Sequence, residues 1–85
     1  MKEKELKKMT KLVEKVMKVE AVPETLYKLI DFTEEEEEFI GEYEDEFYNA
    51  LNERLWKLGM KVDDHSDENF LTWVQNGYIY VTTAL

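Results

Sequence analysis

The sequence predicts an α+β domain: three helices followed by a C-terminal antiparallel β-hairpin, with residues 60–64 offering a short third strand. Three observations carry this. Apolar residues recur at helical spacing from the N-terminus to Leu58. The period drops to two after Gly59. Asn76-Gly77 then stands between two apolar runs, a strong signal for a two-residue β-turn.

The first helix spans residues 2–21. Leu6, Met9, Val13 and Val16 form a heptad-like stripe, widened by Leu12, Met17 and Val19. Lys2, Lys4, Lys7, Lys8, Lys11, Lys15 and Lys18 fill much of the remaining surface. The same stripe suits a short coiled coil, so a homodimer through this helix is one expectation. Pro23 stops the helix and fits the first position of a second, over residues 23–30, with Leu26, Leu29 and Ile30 inward.

The third helix has two competing starts. Thr33 with Glu36 makes a capping box, and so does Asp31 with Glu34. From either, the pattern runs to Leu58, where Gly59 is a C-terminal stop. At 100° per residue, Ile40, Tyr43, Phe47, Leu51, Leu55 and Leu58 gather on one face. Glu35, Glu38, Glu42, Asp45, Glu46, Asn49 and Glu53 gather on the other, an anionic ridge about 27 Å long at 1.5 Å per residue. Trp56 breaks the pattern by projecting from the side of Glu38, Asp45 and Asn49.

Beyond Gly59, residues 63–69 read as a polar turn, and residues 70–75 and 78–83 as the strands of the hairpin. The register pairs Trp73 with Tyr80, Val74 with Ile79, and Thr72 with Val81. One sheet face then carries Phe70, Val74, Ile79 and Val81. The other carries Leu71, Trp73, Tyr78 and Tyr80, and only one face needs the helices. The second is therefore a candidate contact surface.

At 85 residues, 44% hydrophobic and 13% aromatic, the chain suits one packed domain over residues 1–85. The absence of cysteine excludes disulfides and thiolate metal sites. No apolar run reaches the roughly 18–20 residues of a membrane span, and the lysine-bearing N-terminus has no apolar signal core. A cytoplasmic protein is expected.

Charge is shared unevenly. Residues 1–20 hold seven Lys and four Glu, +3, while residues 21–85 hold three Lys, one Arg and sixteen acids, −12; the sum is the formal −9. So acidic a body repels nucleic acid and membranes, and binding to either is not expected. It attracts cationic surfaces, the commonest of which belong to nucleic-acid-binding proteins.

Residues 34–46 concentrate this charge in nine carboxylates: Glu34 to Glu38, Glu42, Glu44, Asp45 and Glu46. Like-charge pairs at i,i+4 (Glu34/Glu38, Glu38/Glu42, Glu42/Glu46) each destabilise a helix by roughly 0.2–0.5 kcal/mol. Adding the i,i+3 pairs gives about 1–3 kcal/mol, against a typical stability of about 5–15 kcal/mol. Three readings compete: a solvated helix face, a face neutralised by the lysines of the first helix, and a surface that occupies a partner's basic groove. In the third, Trp56 or the patch of Trp73, Tyr78 and Tyr80 supplies apolar anchors.

Catalytic chemistry finds little support. The Asp63-Asp64-His65-Ser66-Asp67-Glu68 segment lacks EF-hand spacing and its turn glycine, so no metal site is expected. His65 and Ser66 are adjacent, which prevents a nucleophile–base–orienter arrangement. Gly41, Gly59 and Gly77 are isolated, leaving no phosphate-binding loop. Neither an enzyme nor a cofactor is expected.

The stretch Glu42-Tyr43-Glu44-Asp45-Glu46-Phe47-Tyr48-Asn49 resembles the acidic tract of small phage-encoded anti-CRISPR proteins that block the Cas9 nuclease. In that family the tract is understood to occupy the site that reads the short DNA motif flanking the target. The resemblance implies the same role for Glu42, Glu44, Asp45, Glu46 and Asn49, and a host-cell cytoplasmic location. The lysine-rich first helix, and an acidic helix ahead of the hairpin, depart from that family's order of elements.

The function expected is thus a non-enzymatic inhibitor that mimics nucleic acid against a nuclease or CRISPR effector. One rival is a dimerising structural or regulatory module. The other is a winged-helix DNA binder, which three helices and a hairpin also describe but whose recognition helix is basic rather than acidic.

Overall fold

A computed structural model of the protein describes residues 2–20, 27–63 and 70–84. Its first helix, α1 (Glu3–Lys18), follows the apolar stripe and buries Met9, Leu12, Val13 and Val16. Glu3 and Glu5 occupy the first turn and Lys15 and Lys18 the last, in the sense the helix macrodipole favours. Leu6 stays 49% exposed. Three of the four heptad positions therefore face the protein's own core, and that stripe is not free to build a coiled coil.

The helix expected over residues 23–30 is replaced, where the chain is described, by a strand, β1 (Tyr27–Leu29). Residues 21–26, with Pro23 and Leu26, lie outside the described residues. Burial across the strand and beyond alternates, with Lys28, Ile30 and Phe32 inward and Leu29 and Asp31 outward. Lys28 is what disguised this period of two, because a lysine reads as a solvent position. Here it is 7% exposed, and its ammonium donates to the carbonyl of Val19 at the end of α1.

The expected third helix is two. α2 (Glu34–Glu42) starts at Thr33, whose hydroxyl accepts from the Glu36 N–H at 3.1 Å while the Glu36 carboxylate accepts from the Thr33 N–H at 2.9 Å. The Thr33 capping box thus prevails over the Asp31 alternative. α3 (Glu44–Trp56) follows after one residue, Tyr43, whose backbone (φ −119°, ψ 42°) leaves the helical region. Contacts with α1 fix the two directions. Lys8 lies over Phe39 and Lys15 reaches Glu36, so α2 runs antiparallel to α1. Glu5 lies with Glu46 beside Tyr43 while Glu14 pairs with Arg54, so α3 runs parallel to α1. The chain turns back along α1 at Tyr43, and the single 27 Å ridge becomes two arms meeting at a corner.

α3 buries Phe47, Leu51 and Leu55 as expected, each worth roughly 1.5–3 kcal/mol, whereas Leu58 lies past its end and is 66% exposed. Gly59, at φ +75°, turns the chain into β2 (Met60–Val62), the expected third strand. Residues 64–69, most of the expected polar turn, lie outside the described residues.

The expected hairpin does not form, because its first strand is a helix, α4 (Phe70–Gln75). Phe70, Trp73 and Val74 stand at i, i+3 and i+4 and are all buried on one side of the helix, which a single face of a strand could not achieve. Asn76-Gly77 ends this helix instead of linking strands: Asn76 N–H reaches the Thr72 and Trp73 carbonyls, and Gly77 N–H that of Val74. Gly77 supplies the φ of +84° that such a stop requires.

β3 (Tyr78–Thr83) is the central strand of an antiparallel sheet of order β1-β3-β2. Its partners are Tyr27↔Tyr80 and Leu29↔Tyr78 on one side and Val62↔Val81 on the other. Ile79 and Val81 join the core with α1, α3 and α4. The class is α+β, as expected, with a three-stranded sheet in place of the hairpin.

Candidate partner-binding surface

The carboxylates predicted to lie outward do so. Glu35, Glu38, Glu42, Asp45, Glu46, Asn49 and Glu53 are exposed, and Glu44 is half-buried. The bend gives them a second favourable setting. Glu34 to Glu37 fill the first turn of α2, and Glu44, Asp45 and Glu46 fill that of α3. Each first turn has backbone N–H groups without intrahelical acceptors, and acids there stabilise by about 0.3–1 kcal/mol apiece. Two helix starts offset more of the like-charge repulsion than the one expected from sequence.

The lysines of α1 reach only part of the acidic run. Lys15 Nζ lies 2.7 Å from Glu36 Oε1 and 2.8 Å from the Asp31 carbonyl. Burial raises the Glu36 pKa, but hydrogen bonds from Lys15 and Thr33 outweigh it and hold the carboxyl below its ordinary value. Lys8 and Lys11 border a cleft with Glu35 and Phe39, and Arg54 and Lys57 border another with Glu53. Arg54 also pairs with Glu14, and its hydrogen bond is the main cause of that glutamate's lowered pKa.

The carboxylates around the bend are not paired in this way, although Glu42 shares a cleft with Lys4 and Lys8. Among the described residues Glu38, Glu42, Glu44, Asp45 and Glu46 form no ion pair; those that do occur are Glu3–Lys7, Lys15–Glu36 and Glu14–Arg54. Tyr43 sits between the arms, half-buried. Its phenol is pushed above its ordinary pKa, first by burial and then by the carboxylates of Glu42, Glu5 and Glu46. Glu5, brought here by α1, is a member of this group that sequence periodicity placed on another helix and did not single out.

The proposed apolar anchors divide. Trp56 ends α3 on the line of Asp45 and Asn49 and is 57% exposed. The bend removes Glu38 from that line. Trp73 is corrected from surface anchor to core: at 2% exposure it packs between Phe70 and Tyr80, with ring centroids 6.1 and 5.3 Å away. Tyr78 and Tyr80 are half-buried in a cluster with Tyr27, at 6.5 and 5.8 Å. They lie on the sheet, apart from the acidic residues in sequence and element.

No helix among the described residues is long and apolar enough to cross a membrane. Nor do the described residues bring together three or more His, Cys, Asp or Glu that could hold a metal ion. His65 and Ser66 lie outside the described residues. Compared with protein-family models, curated proteins and solved structures, the chain matches none.

Proposed function

We propose that this protein is an acidic, non-enzymatic inhibitor that occupies the basic nucleic-acid-binding groove of a partner, a nuclease or CRISPR effector, as a DNA mimic in the host cytoplasm. One observation carries the reading: five carboxylates, Glu38, Glu42, Glu44, Asp45 and Glu46, flank the α2–α3 bend without forming an ion pair among the described residues. Four of them fall within residues 42–49, the stretch that resembles the anti-CRISPR acidic tract. Their field would speed encounter with a cationic groove, and Trp56 along α3 would add apolar contact.

The test is capture from a bacterial lysate on the immobilised protein at low and at high salt, alongside a DNA-cleavage assay with a Cas9–guide RNA complex. Recovery of a nuclease, polymerase or CRISPR effector that is lost as salt rises supports the reading. Charge reversal at Asp45 and Glu46 should then abolish capture, while reversal at Glu35, which faces the lysines of α1, should cost much less. A captured partner with no basic groove, or capture indifferent to the Asp45 and Glu46 reversals, overturns it.

A further inference from the structure

At the corner, α1 and α2 enclose an open cleft of about 260 Å3 lined by Lys4, Glu5, Lys8, Phe39, Glu42 and Tyr43. That is many times the volume of a water molecule, about 30 Å3. Its wall is aromatic, with the Phe39 and Tyr43 rings 4.9 Å apart and tilted by 49°. Carboxylates enter from both helices, Glu5 from α1 and Glu42 from α2. The protein already places a cation there, since Lys8 Nζ sits 5.8 Å from the centre of the Phe39 ring. Aromatic faces and carboxylates together are the chemistry that holds organic cations.

We propose that this cleft receives an arginine side chain of the protein partner, whose guanidinium replaces the Lys8 ammonium against Phe39 and Tyr43 and pairs with Glu5 and Glu42. Lys8 and the other ammonium of the lining, Lys4, are both exposed and have no ion pair among the described residues, so their long side chains can swing aside. A guanidinium is planar, stacks on rings and offers a fork of donors to carboxylates, where an ammonium is a strongly hydrated point charge. The cleft therefore favours arginine over lysine. As a statement about the partner this rests on the inhibitor reading; the cleft itself is testable without a partner.

The experiment titrates the full 15N-labelled chain with acetyl-Gly-Arg-Gly-amide and with its lysine counterpart at low salt, following amide shifts. Saturable shifts at Glu5, Phe39, Glu42 and Tyr43, larger for arginine, are expected. Glu5→Gln and Glu42→Gln should weaken them. Lys8→Ala should tighten arginine binding by about two- to five-fold by vacating the ring. Lys18→Ala, an equal charge change at the far end of α1, should do less. Shifts spread evenly along the acidic helices, equal response to both peptides, or equal effects of the two lysine variants would overturn the proposal. Such a result together with intact salt-sensitive capture of a nuclease removes the cleft and leaves the inhibitor reading standing; site-specific shifts without capture do the reverse.

Discussion

Glu36 is the carboxylate of the acidic run that the fold uses for itself, and replacing it separates internal from outward charge. Its side chain accepts from the Thr33 N–H at 2.9 Å and pairs with Lys15 at 2.7 Å. Losing a cap interaction costs about 0.5–2 kcal/mol, typically near 1. A half-exposed ion pair adds about 0.2–1 kcal/mol. Glu36→Ala should therefore destabilise by roughly 1–2 kcal/mol, which for a domain of this size lowers Tm by about 4–16 °C. Glu36→Gln keeps an acceptor for the capping box and loses only the ion pair, so it should fall between wild type and Ala. Because the folded pKa of Glu36 is depressed below 4.5, its charge stabilises above that pH and is lost as pH falls through the folded value. Thermal and denaturant melts of the three proteins at neutral and acid pH measure this. Glu38→Gln, at an exposed carboxylate with no ion pair among the described residues, should stay within about 0.5 kcal/mol of wild type. If Glu36→Ala melts with wild type, or Glu38→Gln is as damaging as Glu36→Ala, the division into internal and free carboxylates is wrong.

Lys28 has its pKa lowered, first by burial, against an opposing pull from Glu20. The folded state thus binds fewer protons than the unfolded one, and stability should rise with pH up to 10.5, a slope that Lys28→Met should remove in denaturant melts across alkaline pH. Gly77→Ala must hold a side chain at φ +84° with its Cβ 3.4 Å from the Ile30 carbonyl, so a loss of about 1–2 kcal/mol is expected on chemical denaturation. The two tryptophans should part company: Trp73→Ala costs about 3–5 kcal/mol, Trp56→Ser stays within about 0.5 kcal/mol, and only the latter weakens partner binding at unchanged Tm.

Much of the fold was written in periodicity, and the errors share a cause. α1, a helix start at either Asp31 or Thr33, the inward face of Phe47, Leu51 and Leu55, and the Gly59 stop all followed from local rules. The misreadings arose where one pattern served two structures. Phe70, Trp73 and Val74 fit a helix by their spacing, yet Phe70, Thr72 and Val74 also alternate like a strand, and Asn-Gly ends helices as readily as it turns hairpins. Lys28 hid a strand because its partner, the Val19 carbonyl, is distant in sequence. The bend at Tyr43 has no proline or glycine at the residue itself. What rewards it is tertiary: two short helices can both lie along α1, where one straight helix could not. The outward acids were legible for the same reason, since exposure depends mainly on which face the core claims. Which of them meet a lysine depends on how α1 packs, and no spacing rule contains that.

Turning back at Tyr43 also decides the shape of whatever can recognise this surface. A straight rod lies along a flat basic track and touches it everywhere at once. A convex elbow touches a flat surface at only a few points. A surface that met both arms at once would have to bend with them, and would still leave the cleft between α1 and α2 open to a side chain reaching in.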